Sequence, residues 1–154
     1  MSRLFGYLFH LAALLGNIFA LHLSKDDRAT TQHTAAMLYA ASAVGAVFAG
    51  DFISLFVFWE LLALTSVFLI WARGSERSYR AGFRYLVIHV VSGVILLSGA
   101  LLRAHGTGSI ALEQVGLDGS LAAWLLLLAF GIKSAFPLLH NWLTDAYPEG
   151  TATG

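Results

Sequence analysis

Apolar residues run along this chain in five long stretches separated by short polar ones. They fall at residues 4–23, 34–50, 52–72, 85–102 and 121–139. A helix needs about twenty predominantly apolar residues to cross the hydrocarbon of a bilayer, and each stretch comes close to that. The pattern therefore predicts an all-α integral membrane protein of about five transmembrane helices in one domain. Only Gly50 and Asp51 separate the second and third stretches, so these form a tight antiparallel hairpin. The segment WARGSERSYRAGFR reads as a basic loop before the fourth span. The segment RAHGTGSIALEQVGLDG reads as a polar loop before the fifth.

The first stretch, after Arg3, also fits a signal peptide. It is longer than a usual signal core, contains Asn17 and lacks a small-x-small site before Lys25, so it is read as a span.

Composition agrees with a lipid environment. Hydrophobic residues make up 58% and charged residues 12% of the 154-residue chain. A soluble domain carries about 25% charged residues. Mean hydropathy is +0.74. Net charge is zero with His neutral, which gives no pull toward nucleic acid. With no cysteine, disulfides and thiolate metal sites are excluded.

Loop charge sets the expected orientation. Lys25, Arg28, Arg73, Arg77, Arg80 and Arg84 fall on one side, against Arg3 and Arg103 on the other. The arginine-rich loops belong in the cytoplasm and the N-terminus outside. Ala41, Gly45 and Ala49 put small residues on one face of the second span, where another helix can approach. Trp71 and Trp124 fall near expected membrane interfaces.

Against this background two charges are out of place. Glu60 has eight uncharged residues before it and twelve after it in the third span, roughly 12 Å into the membrane. Lys133 sits in WLLLLAFGIKSAFPLL, deep in the fifth span. A charge at mid-bilayer costs about 2.5–3.5 kcal/mol on insertion scales and persists only facing protein or water. Opposite signs make the two natural partners, directly or through water. Such a pair marks an ion path or, alternatively, a static clamp between two helices.

Pro137 cannot donate to the Lys133 carbonyl, so the fifth helix is expected to break there, beside a freed carbonyl that water can reach. His140 lies about two turns beyond Lys133 and could extend a relay past the break. His89 in the fourth span is a weaker candidate, and His10 and His22 read as structural or interfacial. Asp145 and Glu149 read as solvated loop acids. The six histidines show no HExxH spacing, so no metal site is expected. No phosphate loop, cofactor motif or nucleophile–base pair supports an enzymatic reading.

The strings GDFISLFVFWELLALTSVFLI and GIKSAFPLLHNWLTDAYPEGTATG resemble one family. It comprises the antiporter-like membrane subunits of respiratory complex I, of membrane-bound hydrogenases and of Mrp-type Na⁺/H⁺ antiporters. The PLLHNWL…DAYPE form looks most like the D-type subunit of the Mrp antiporters, and the resemblance runs from about residue 38 to residue 154. It implies a subunit of two inverted repeats, of which this chain resembles nearly one, the third to seventh helices. It also implies that Glu60 is the fifth-helix glutamate, Lys133 the lysine of the broken seventh helix and His140 the relay residue after the break. The pair would move protons by coupled changes of charge, with no redox site of its own.

The implied partners are other membrane subunits of an antiporter or respiratory complex, the lipid bilayer, and H⁺ with Na⁺ or K⁺. The implied location is a bacterial inner membrane. Two features depart from the family pattern. Thr144 stands where a proline is usual, and the proline after the lysine comes one residue early. The chain also stops where the family enters its next helix, so a fragment, incomplete alone for transport, is expected. The rival reading is a non-transporting membrane scaffold in which Glu60 and Lys133 form a structural pair.

Overall fold

Polar residues at the ends of the apolar runs supply the side-chain caps that start three of the helices. Asp51 accepts from the backbone of Ile53 (2.9 Å) and Ser54 (2.8 Å) and from the Ser54 hydroxyl (2.7 Å), which satisfies orphan donors of the helix it begins. Ser75 and Ser78 form a reciprocal capping box. Ser120 caps the next helix through Ala123. Gly108, at φ 71, closes the preceding one.

The computed structural model describes residues 2–21, 29–112 and 115–150. Within them lie α1 (Ser2–Leu21), α2 (Ala29–Phe48), α3 (Phe52–Trp71), α4 (Glu76–Thr107), α5 (Leu121–Lys133), α6 (Asn141–Ala146) and a 3₁₀ turn at Tyr147–Glu149. His22, Lys25 and Arg28 lie outside the described residues.

Among the described residues three helices, α1, α3 and α4, are long and apolar enough to cross a membrane. Helix α2 matches α1 and α3 in length but opens on polar ATTQHT. Helix α5 stops at Lys133. The fourth apolar run predicts a span from 85, yet α4 begins at Glu76. The Ser75 cap and an i,i+4 pair between Glu76 and Arg80 carry the helix through the segment read as a loop.

Consecutive helices pack in order, and α4 is the hub, touching α3, α5 and α6. The loops sort to opposite ends. At one end the α2–α3 turn pairs with the α4–α5 loop, through Phe52 N–H to the Ile110 carbonyl (2.9 Å) and Leu112 N–H to the Gly50 carbonyl (3.0 Å). At the other end, Arg77 reaches Glu149 at 2.7 Å, and Arg84 grips Asp145 with two bonds of 2.7 and 2.8 Å. Glu149 is therefore a buried, paired acid rather than a solvated one, with Arg73 as a second partner at 3.6 Å.

Two apolar layers fill the bundle. One joins Phe52, Leu55 and Trp59 of α3 to Leu96 and Ala100 of α4 and Leu126 and Ala129 of α5. The other joins Val67 and Ile70 of α3 to Tyr85 of α4 and Trp142 and Ala146 of α6. Glu60, His89 and Lys133 fall between them along the helices that carry both layers. Of the small-residue face on α2, Gly45 lies under the Phe58 ring and Ala49 meets the first layer, while Ala41 faces outward.

The break after α5 begins before the proline. Phe136 N–H donates to the Gly131 carbonyl (2.9 Å) and Ala135 N–H to the Ile132 carbonyl (3.2 Å), with Ala135 at φ 52. This is a Schellman closure, which usually recruits glycine at the left-handed position. Pro137 then opens a second turn, closed by Leu139 N–H to the Phe136 carbonyl (2.8 Å), with Leu138 at φ 75. Two non-glycine residues in left-handed backbone carry strain of roughly 1–2 kcal/mol each.

Candidate functional site

Glu60 stands eight residues into α3, roughly 12 Å from its start in a hydrocarbon core about 30 Å thick. Lys133 ends α5, twelve residues from Leu121. The break delivers this ammonium to α3, where Nζ donates to the Trp59 carbonyl at 3.2 Å. It also stands 5.0 Å from the centroid of the Trp59 ring, a cation–π arrangement. The ring is held edge-on by Phe130 at 5.3 Å.

Acid and amine are thus brought to adjacent residues of one helix without a direct ion pair between them. Lys133 is a charge acting on both Glu60 and His89. Among the described residues two buried polar side-chain atoms lack a hydrogen-bond partner, Trp59 Nε1 and Glu60 Oε1. They belong to the residue whose carbonyl anchors Lys133 and to the next residue of α3.

His89 is buried on α4, stacked on Tyr85 at 4.0 Å and met edge-on by Trp142 at 4.4 Å. Its Nδ1 lies 2.9 Å from the Tyr85 carbonyl. A carbonyl can only accept, so Nδ1 carries the hydrogen and Nε2 of the neutral ring carries the lone pair. A cavity of about 360 Å³ is lined by both Lys133 and His89, with Tyr39, Tyr85, Trp142 and Tyr147 around them.

A second cavity of about 270 Å³ shares Tyr39, Tyr85 and Tyr147 with the first and reaches Gly150. Within it the Tyr85 and Ser66 hydroxyls lie 2.7 Å apart. Polar groups therefore run from Lys133 toward the arginine-rich end.

His140 stands apart from this group. It precedes α6, is exposed, makes no side-chain cap bond and does not line the Lys133 cavity. His10 bonds its own helix at the Gly6 carbonyl (2.7 Å). No cluster of three metal-ligating side chains occurs among the described residues.

Several contributors escape sequence reasoning. The Trp59 carbonyl and ring form the lysine's anchor. Ser92 ties α4 to the Ala129 carbonyl at 3.1 Å. The carbonyl of Ile132, next to Lys133, accepts the Trp142 indole N–H at 2.9 Å. Gly93 leaves the space that the Glu60 head occupies. The WE pair is the one sequence signal that bears on these, since it places an aromatic ring beside the acid.

Residues 49–154 match the sequence family described as "NADH:quinone oxidoreductase/Mrp antiporter, TM". An NAD(P)H-quinone oxidoreductase chain 4 of Microcystis aeruginosa is 31% identical over 125 residues, which cover 75% of this chain and 22% of the relative. The D-type subunit of the Na(+)/H(+) antiporter of Bacillus subtilis is 31% identical over 116 residues, 70% of this chain and 24% of the relative. The N-type subunit of the NADH-quinone oxidoreductase of Cereibacter sphaeroides is 33% identical over 154 residues, 96% of this chain and 33% of the relative. The chain thus spans between about a fifth and a third of the length of these curated relatives.

Proposed function

Because the chain belongs to the NADH:quinone oxidoreductase/Mrp antiporter transmembrane family, we propose that it forms part of a membrane subunit that moves protons or exchanges them for a monovalent cation. One observation carries this reading: a mid-depth cavity lined by the half-buried Lys133 and the buried His89, with the lysine anchored one residue along α3 from the half-buried Glu60. Lipid alone would not tolerate these groups.

The proposed cycle uses Glu60, Lys133 and His89. A negative Glu60 favours the Lys133 ammonium, while the Trp59 carbonyl and ring hold its head in place. When Glu60 becomes neutral, burial disfavours the ammonium and its proton passes to water in the cavity. The lone-pair Nε2 of His89 accepts it there. Tyr85, Ser66, Tyr39 and Tyr147 lead it toward the arginine-rich end. His140, past the break, is proposed as the relay residue on a path outside this cavity.

The specific form proposed is the D-type subunit of an Mrp antiporter, resting on the PLLHNWL…DAYPE string and the Bacillus subtilis relative. Its partners would be the other membrane subunits, and its site the bacterial inner membrane with the N-terminus outside. The test is Glu60→Gln and Lys133→Ala in the complex that contains this chain. Proton translocation should fall on the order of a hundredfold, as for loss of a proton-transfer group, with assembly unchanged. Normal translocation by either variant refutes the reading.

A scaffold reading has one observation in its favour, the Lys133–Trp59 bond that ties α5 to α3. Lys133→Arg separates the two, because a guanidinium can still donate to the Trp59 carbonyl but cannot release its proton. A clamp survives that substitution, whereas a proton relay does not.

A further inference from the structure

Glu60 Oε1 is buried with no hydrogen-bond partner among the described residues, and the atoms that enclose it belong in part to α4. A Cβ built on Gly93 would stand 1.6 Å from Oε1, 2.7 Å from Cδ and 3.5 Å from Cγ. The carboxyl head therefore occupies the volume that any side chain at position 93 would take. Gly93 lies within α4 and is absent from the positive-φ residues. Its backbone conformation thus does not require glycine, and glycine inside a helix is unfavourable. What fills the space is the head of a flexible side chain, so a methyl at position 93 would displace Glu60 rather than strain the backbone.

The polar neighbour on α4 does not serve the acid, since the Ser92 hydroxyl donates to the Ala129 carbonyl of α5. Lys133 meanwhile rests on the Trp59 carbonyl and ring. Each partner of the expected pair has a seat that is not the other.

We infer that Gly93 is a positioning residue that gives the Glu60 head a second station, apart from Lys133, so that the pair can separate and rejoin. This rests on the translocation reading above. An ionised carboxylate with a donorless buried oxygen is far costlier than the neutral acid. The station therefore takes the protonated head, with Oε1 as its carbonyl oxygen and the hydroxyl at Oε2. Entering the station binds one proton to Glu60, and leaving it for Lys133 releases that proton. While the acid is in the station the Lys133 ammonium gives its own proton to the cavity, as in the cycle above, and the amine takes one up again when the carboxylate returns.

Infrared spectroscopy of the complex that contains this chain, in lipid vesicles, tests this without reading transport. Wild type should show a carboxylic-acid carbonyl band, at the high frequency of a group receiving no hydrogen bond, that disappears in Glu60→Gln. In Gly93→Ala the new methyl expels the head, and the band should be lost or shift to lower frequency. No Glu60 acid band in wild type, or an unchanged band in Gly93→Ala, overturns the inference. Should Gly93→Ala fail to fold, the Glu60→Ala background decides. A double variant that folds shows that the methyl collides with the Glu60 head alone, and one that still fails overturns the inference. Normal translocation by Glu60→Gln alongside an intact wild-type band would sink the translocation reading on its own.

Discussion

The arginines at the basic end show how burial decides what a charge is worth. Arg84 and Asp145 are both substantially exposed, with side-chain accessibilities of 54% and 40%. Their bidentate bond should contribute no more than about 1 kcal/mol. Glu149 is 6% exposed, and removing Arg77 strips a buried acceptor of its closest donor, at a cost of about 1–3 kcal/mol. Thermal unfolding in detergent should therefore rank Arg77→Ala as more damaging than Arg84→Ala, and the reverse order would refute the burial argument.

Asp51 gives a residue-scale pH dependence. Hydrogen bonds from Ser54, and then Ile53, hold its carboxyl below the ordinary carboxylate range. A lowered folded value means that the contribution is present above the unfolded pKa of about 3.9 and lost as pH falls through the folded one. Stability measured down an acid series should fall in that window, and Asp51→Ala should flatten the fall.

The break between α5 and α6 belongs to the scale of the element. Pro137 announces it in the sequence, because a missing N–H is visible in one letter. The closure that precedes it is not visible, since its left-handed residue is Ala135 where a glycine would have given notice. Pro137→Ala should accordingly keep the break, with helicity by circular dichroism unchanged; a gain of a helical turn or more would show that the proline alone makes it. Ala135→Gly relieves left-handed strain while freeing the unfolded chain, for a net gain of about 0.5–1 kcal/mol in stability, which chemical denaturation of the two proteins would measure. Apolar period likewise locates the third span well, because Asp51 and the Trp71 end coincide with changes in polarity. It puts the start of the fourth at 85, whereas serine caps and an Arg–Glu pair hold α4 helical through residues that hydropathy scores as loop.

At the scale of the molecule, the sequence reveals which charges are misplaced but not how they are housed. Glu60 and Lys133 stand out because each interrupts an apolar run. Their separate seats depend on a backbone carbonyl, a ring face and an absent side chain, none of which has a linear signature. The same limit applies to His89: its burial and its cavity arise only once α4 packs against α3 and α6, so one histidine in a span looks weaker than one after a proline. Folded, the helices leave a gap lined by Lys133 and His89 between two apolar layers, beside a second cavity that reaches Gly150 at the arginine-rich end.

That gap can be probed directly because the chain has no native cysteine. Lys133→Cys in sealed vesicles should react with a small, water-soluble, membrane-impermeant thiol reagent supplied at the arginine-rich face. Val94→Cys, on the outward surface of α4 at 57% exposure, should stay unlabelled in lipid. Protection of position 133 from that face, or labelling no faster than at position 94, would contradict a water-filled route to the buried amine.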